Sequence, residues 1–355
     1  MYQKKDAVMT KGFAICSMLV LHLFCRRGSE VFGTPLIWIN ERTPLIYYLG
    51  FFAEICVPLY SMCSGYAMQL MAENKKLSWK TNLHRIGKLM RNYWIVLGMF
   101  CCLGIIFIRG GIPGTLAKFL KSVVLLHSYN GAWWYLNTYI ILLLLPSAII
   151  LFPVKKLNCL QGFFFCFAVN IGCYIWGRFG QFSDIPGKTE ALSFLVKEVR
   201  NMMNVLPYFW IGAFFCKGKA VDAVCVKLKK RFPEKLWNIG LLGLWFLFFL
   251  VNSILEKAVL VTLTAAASFL IFNLLKKAEP VKKTFLFLGK HSTNIWLTHM
   301  FFYSTAPFEG LAQKARYPIL ILVFLLGLCI GTSYVVMGID MALNKVAYFG
   351  KSKKL

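Results

Sequence analysis

The sequence predicts an all-α integral membrane protein, a bundle of about ten transmembrane helices joined by short loops. Three observations carry this prediction. Hydrophobic residues make up 58% of the 355 and charged residues only 15%, with mean hydropathy +0.63, whereas a soluble domain is about 45–50% apolar and about 25% charged. Long apolar runs recur along the whole chain, many near the roughly 20 residues that cross a bilayer as a helix. The period-two alternation of a membrane barrel is missing.

In chain order the spans fall near 7–25, 46–71, 92–109, 132–153, 159–177, 203–217, 237–253, 258–275, 286–305 and 317–341. No small-residue cleavage site follows the first apolar run, so it is expected to stay as a helix. With the N-terminus inside, the cytoplasmic segments hold 25 of the 40 lysines and arginines and the outer segments 13, while Lys11 and Lys290 lie at span ends. That bias predicts both termini on the cytoplasmic side. Trp94, Trp133, Trp176 and Trp237 sit near span ends, as interfacial anchors do. One transmembrane domain is expected over 1–345, followed by a short basic tail, 346–355.

The net charge of +26 reads as this orientation signal together with attraction to anionic lipid. Its division among short loops argues against nucleic acid as a partner. The twelve cysteines are scattered with no CxxC pair, and in lipid a cysteine is a small apolar residue. Neither disulfides nor a metal site is expected. Two stretches predicted on the outer side are amphipathic, 115–127 and 189–203. They fit helices lying in the interface or packed on the bundle.

The first span carries two ionisable side chains in an apolar run, Lys11 and His22. Eleven residues are close to three whole turns, so both project from one face, roughly 16 Å apart. A charged group within a span costs about 2.5–3.5 kcal/mol and usually faces the bundle interior or a wet cavity. Lys11 can snorkel to the inner surface. His22 suits proton transfer, with an ordinary pKa of about 6.5; the plainer reading is a neutral histidine bonded to a neighbouring helix. Glu54, one turn into the second span, is expected at comparable depth. It either orients the His22 imidazole or faces interfacial water. Arg85, Lys88 and Arg91 recur every three residues at the start of the third span. They read as positive-inside signalling or as a clamp for a phosphorylated ligand.

These pieces resemble the acyltransferase-3 family, membrane acyltransferases that acylate sugars of bacterial surface polymers. The resemblance rests on Lys11-Gly12 with His22 eleven residues after the lysine, "VPLYSMCSGY" (57–66), the Arg85/Lys88/Arg91 loop, "SYNGAWWYL" (128–136) and "GKHSTNIWLTH" (289–299), in order over the whole chain. It implies an O-acyltransferase in the bacterial cytoplasmic membrane. The donor would be acyl-CoA bound from the cytoplasm, acetyl-CoA being the expected one, and the acceptor a glycan or lipid-linked sugar, with no permanently bound cofactor. By the same resemblance His22 is the catalytic base. Lys11, Arg85, Lys88 and Arg91 hold the coenzyme. Trp133, Trp134 and Tyr135 stack on a sugar or pack the channel, and His299 is a second polar element there. Two departures stand out. Many members have arginine where this chain has Lys11, and many carry a glutamate just after the aromatic motif, where this chain reads Asn137 and Tyr139.

Motifs of other chemistries are absent: no HExxH, no GxxxxGK[ST] and no His-x4-Asp. A carrier or flippase using Lys11 and His22 as a substrate or proton path is the competing class, although the hydropathy shows no inverted repeat. A member that has lost catalysis and only senses or assembles is a third.

Overall fold

A computed structural model describes residues 2–26, 32–107, 111–179, 189–256 and 259–352. Its helices are α1 (Lys4–Phe24), α2 (Leu45–Phe52), α3 (Cys56–Glu73), α4 (Trp79–Phe107), α5 (Leu116–Val123), α6 (Trp134–Leu144), α7 (Ser147–Ile150), α8 (Phe152–Lys156), α9 (Cys159–Phe179), α10 (Glu190–Lys217), α11 (Ala220–Arg231), α12 (Glu234–Leu255), α13 (Leu260–Leu274), α14 (Glu279–Thr298) and α15 (Pro318–Ser352). A 3-10 turn at Ala53–Ile55 joins α2 to α3, so that 45–73 forms one rod. Among the described residues the strand content is a two-stranded antiparallel ribbon, β1 (Trp38–Asn40) with β2 (Thr43–Pro44).

Among the described residues six helices are long and apolar enough to cross a membrane: Lys4–Phe24, Leu45–Glu73, Trp79–Phe107, Cys159–Trp176, Glu234–Leu255 and Pro318–Lys345. Gly131–Leu144 and Leu260–Leu274 are shorter apolar helices. On α12 the large side chains Ile239, Leu242, Phe246 and Ile254 are exposed. A soluble monomer does not carry a continuous apolar face of this kind, and lipid covers it without penalty.

Two expectations need correction. The span read as 132–153 is not one helix. Leu145 takes extended angles (φ −67°, ψ 144°) before Pro146, because the proline ring disfavours a helical residue ahead of it; the chain resumes as the short α7 and α8. Lys217 Nζ donates to the carbonyls of Val154 (2.6 Å) and Leu157 (2.8 Å) at the end of α8, where a cation meets unpaired acceptors. The stretch 189–203 is not a separate surface helix but the first half of α10, which continues through Pro207 to Lys217. Between the sixth and seventh spans residues 220–231 form a helix of their own, α11. By contrast 115–127 does form a separate short helix, α5, with Leu116 and Leu120 exposed and Ser122 buried. Residues 108 and 109 of the third span, 258 of the eighth and 353–355 of the tail lie outside the described residues.

Two helix pairs set the core, and glycine makes both. A Cβ on Gly12 would lie 2.1 Å from the Phe285 carbonyl oxygen, and one on Gly289 would lie 1.9 Å from that of Val8. The backbones of α1 and α14 therefore touch, as small residues permit in membrane bundles. Gly65 and Gly212 bring α3 against α10 in the same way, facing Phe209 and Met62.

Candidate active site

A cavity of about 500 Å³ runs between α1, α3, α4, α6 and α14. Each helix contributes one stripe. From α1 come Lys4, Lys11, Met18 and His22; the steps of 7, 14 and 18 residues return to nearly the same azimuth at 3.6 residues per turn. From α3 come Val57, Tyr60 and Ser64, and from α4 Arg85, Lys88, Leu89 and Asn92. Trp134, Tyr135 and Tyr139 of α6 and Ser292, Thr293 and Trp296 of α14 complete the wall. Four cations, Lys4, Lys11, Arg85 and Lys88, belong to the end where α1 and α4 begin. His22 lies about 27 Å along α1 from Lys4. The cavity is thus basic at one end and carries an imidazole towards the other.

The imidazole has a defined partner. His22 Nδ1 lies 2.7 Å from His299 Nε2, the rings 4.9 Å apart and 18° from parallel. His299 is fully buried, and its Nδ1 lies 2.8 Å from the Trp296 carbonyl oxygen. That carbonyl only accepts, so His299 Nδ1–H is the donor. A neutral His299 then offers a lone pair at Nε2, and His22 must donate from Nδ1. The chain of acceptors leaves the lone pair of His22 on Nε2, the arrangement of a general base oriented from behind.

The glycine crossing explains why the two histidines meet. Gly12 sits against Gly289 N, and His22 bonds His299. Both steps are ten residues, about 15 Å along two helices that run parallel. The first and last motifs are therefore two halves of one device.

The aromatic motif divides. Trp134 and Tyr135 line the cavity, and Tyr135 Oη bonds Ser61 Oγ at 3.2 Å. Trp133 does not. It is buried, edge-on to Tyr93, and donates from Nε1 to the Leu297 carbonyl at 3.0 Å. Asn130 Nδ2 donates to the same carbonyl (3.1 Å), and Trp296 Nε1 donates to the Ala132 carbonyl (3.0 Å). These bonds tie the loop before α6 to the end of α14. Adjacent helical residues point about 100° apart, so only part of an aromatic cluster can face one channel.

Arg91 is likewise turned away. It pairs with Asp340 of α15, because six residues after Arg85 the helix has drifted about 120°. Lys4, absent from the expected set, takes its place among the cavity cations; its spacing of seven from Lys11 was the signal. Glu54 is not the partner of His22. It lines a second cavity, of about 730 Å³, with Leu21, Asn170, Arg200, Asn201, Asn204 and Tyr208. His299 backs His22 and does not line the channel. Asn92 Nδ2 donates to Asn294 Oδ1 (2.8 Å), whose own Nδ2 donates to Ser333 Oγ (3.0 Å), carrying a polar path from the cavity wall to α15.

Asn137, where the family glutamate was expected, donates to the Leu125 carbonyl at 3.1 Å. A carboxylate is nevertheless close by: Glu198 of α10, almost fully buried, neighbours Asn137, Thr138 and Asn201.

No curated protein and no solved structure matches the chain. A family model, that of the acyltransferase-3 type described as an acyltransferase domain, matches residues 9–339. The match takes in both glycine-crossed pairs and every residue of the cavity but Lys4, and by it the chain belongs to the acyltransferase-3 family.

Proposed function

We propose that this chain is a membrane O-acyltransferase that transfers a small acyl group, acetyl first among them, from acyl-CoA to a hydroxyl of an exported polysaccharide or glycolipid. The observation that carries the reading is the His22–His299–Trp296 chain of hydrogen bonds beside a cavity whose other end is basic. In this reading Lys4, Lys11, Arg85 and Lys88 hold the phosphates of the coenzyme, as ammonium and guanidinium groups suit phosphate oxygens. The pantetheine arm extends along the cavity and brings the thioester to His22. The acceptor hydroxyl gives its proton to His22 Nε2 while its oxygen attacks the thioester carbonyl. The carbon–sulfur bond then breaks, and the coenzyme thiolate leaves with the proton returned by the imidazolium. His299 accepts from His22 Nδ1–H throughout and holds the tautomer.

The membrane arrangement belongs to the same proposal: ten spans in the bacterial cytoplasmic membrane, both termini inside, one domain over 1–345 and a basic tail. A basic donor end on the cytoplasmic side is where acyl-CoA is found. Membership in an acyltransferase family does not favour a carrier that would use Lys11 and His22 as a path.

Inverted membrane vesicles given labelled acetyl-CoA test the reading. Label in a saccharide or lipid-linked sugar fraction, dependent on this protein, is the expected result. Label recovered only as free acetyl-CoA, with succinyl and longer donors equally inert, would contradict it.

A further inference from the structure

We infer that the second cavity is a binding site for a neutral pyranoside ring. This rests on the transferase reading for the use made of the ligand; the site itself stands on its own geometry. The cavity lies between the C-terminal part of α1 (Leu21), the 3-10 turn at Glu54, α9 (Asn170, Tyr174) and the first half of α10 (Arg200, Asn201, Asn204). It shares Val57 and Trp134 with the first cavity, so the two are separated by one wall. The walls of the basic cavity are built from the starts of α1 and α4. Those of this one come from the last turn of α1 and the turn before α3, elements at the opposite end of the bundle.

The chemistry is that of polyol recognition. Three amides, one carboxylate and one guanidinium offer donors and acceptors in the paired form that vicinal hydroxyls take. Trp134 and the half-exposed Tyr174 add flat apolar faces against which the C–H side of a sugar ring can lie. Formal charge balances, Glu54 against Arg200, which suits an uncharged ligand better than an anionic one. Asn170 Nδ2 and Asn201 Nδ2 are buried, Asn170 beside the Tyr208 hydroxyl and Asn201 beside the Glu198 carboxyl. Buried polar groups are normally paired. Here the Asn170 and Asn201 side chains stand at the wall of one open cavity, where a ligand rich in hydroxyl groups can add to their partners. The shared Trp134 and Val57 place a ring held there next to the cavity that His22 lines.

Ligand-observed saturation-transfer NMR on the full chain in nanodiscs tests the site. The probes are methyl glycosides of neutral hexoses and of N-acetylhexosamines, and coenzyme A binding is measured on the same samples. Wild type is expected to bind at least one glycoside. Asn170→Leu and Asn201→Leu are expected to weaken that binding about tenfold while coenzyme A binds as before. Asn204→Ala, on the exposed part of the wall, serves where the buried variants fail to fold and is expected to weaken binding severalfold. Glycoside binding unchanged in all three variants would overturn the inference. So would its absence in a wild type that still binds coenzyme A. Glycoside binding lost in the variants, in a protein that never binds coenzyme A, would uphold the sugar site and overturn the donor assignment instead.

Discussion

The α1/α14 and α3/α10 pairs are built alike and used differently. In each, two glycines let parallel backbones touch: Gly12 with Gly289, Gly65 with Gly212. Ten residues beyond the first crossing stand His22 and His299, hydrogen-bonded to each other. Near the second lie Phe209, Phe214 and Met62, all buried and apolar. The crossing is a scaffold in both cases. What turns one pair into a site is the polar side chain placed a fixed distance along a rigid pair of helices. That distance is set by backbone contact, so it transmits any change in the glycines to the imidazoles.

The largest expected effect separates chemistry from scaffold. His22→Ala keeps the helix and removes the base, so acyl transfer should fall about 10²–10⁴-fold with coenzyme A binding and thermal stability near wild type. Gly12→Leu and Gly65→Leu sharpen the comparison next. Each places atoms where a carbonyl already sits, and overpacking of this kind costs about 1–3 kcal/mol or more. Both should lower the melting temperature in nanodiscs. Gly12→Leu should also cost the larger share of transfer activity per folded molecule, because it spreads the pair that carries the histidines. Equal activity loss per folded molecule in the two would erase the distinction between them.

His299→Gln comes third. It leaves the cavity lining intact and disturbs the tautomer of His22, so kcat should fall about 10–100-fold, the usual size for a group that orients another. KM for acyl-CoA should hold, and the pH profile should shift. A substrate-binding role would move KM instead. Arg85→Ala and Arg91→Ala give a smaller contrast within one helix. The first should raise KM for acyl-CoA about tenfold, the price of one charge-assisted phosphate contact. The second should leave KM alone and lower stability, since Asp340 loses its cationic partner.

The smallest effect lies outside the core. Lys121 of α5 pairs with the exposed Glu190 at the start of α10, at 2.7 Å, and its hydrogen bond and charge hold the Glu190 carboxyl below the usual carboxylate range. A carboxyl depressed on folding contributes stability above its unfolded pKa and loses it as pH falls through the folded one. Glu190→Gln should therefore match wild type in acid and melt slightly lower near neutrality. High salt should shrink that difference.

Much of this was written in local sequence. The apolar runs gave the helical class, and the eleven-residue spacing put Lys11 and His22 on one face, where both line the cavity. Helical arithmetic alone would also have added Lys4 and turned Arg91 away, since both follow from about 100° per residue. Pro146 announced the break after Leu144. The partner of His22 was harder. Glu54 was reasonable from depth, but depth does not fix azimuth, and the 3-10 turn at Ala53–Ile55 aims Glu54 at a different cavity. The equal ten-residue steps from Gly12 to His22 and from Gly289 to His299 held the answer. They became meaningful only once α1 and α14 were known to touch. Trp133 and Trp134 show the same limit: adjacent in sequence, one serves the core and the other the channel.

The central claim is that His22, oriented by His299, is the base for acyl transfer from acyl-CoA. The most direct measurement compares wild type with His22→Ala in inverted vesicles at matched expression, following the label of acetyl-CoA into saccharide while coenzyme A binding is measured alongside. The account predicts label in the saccharide with wild type only, and equal coenzyme A binding in both. Equal labelling in the two proteins would contradict it.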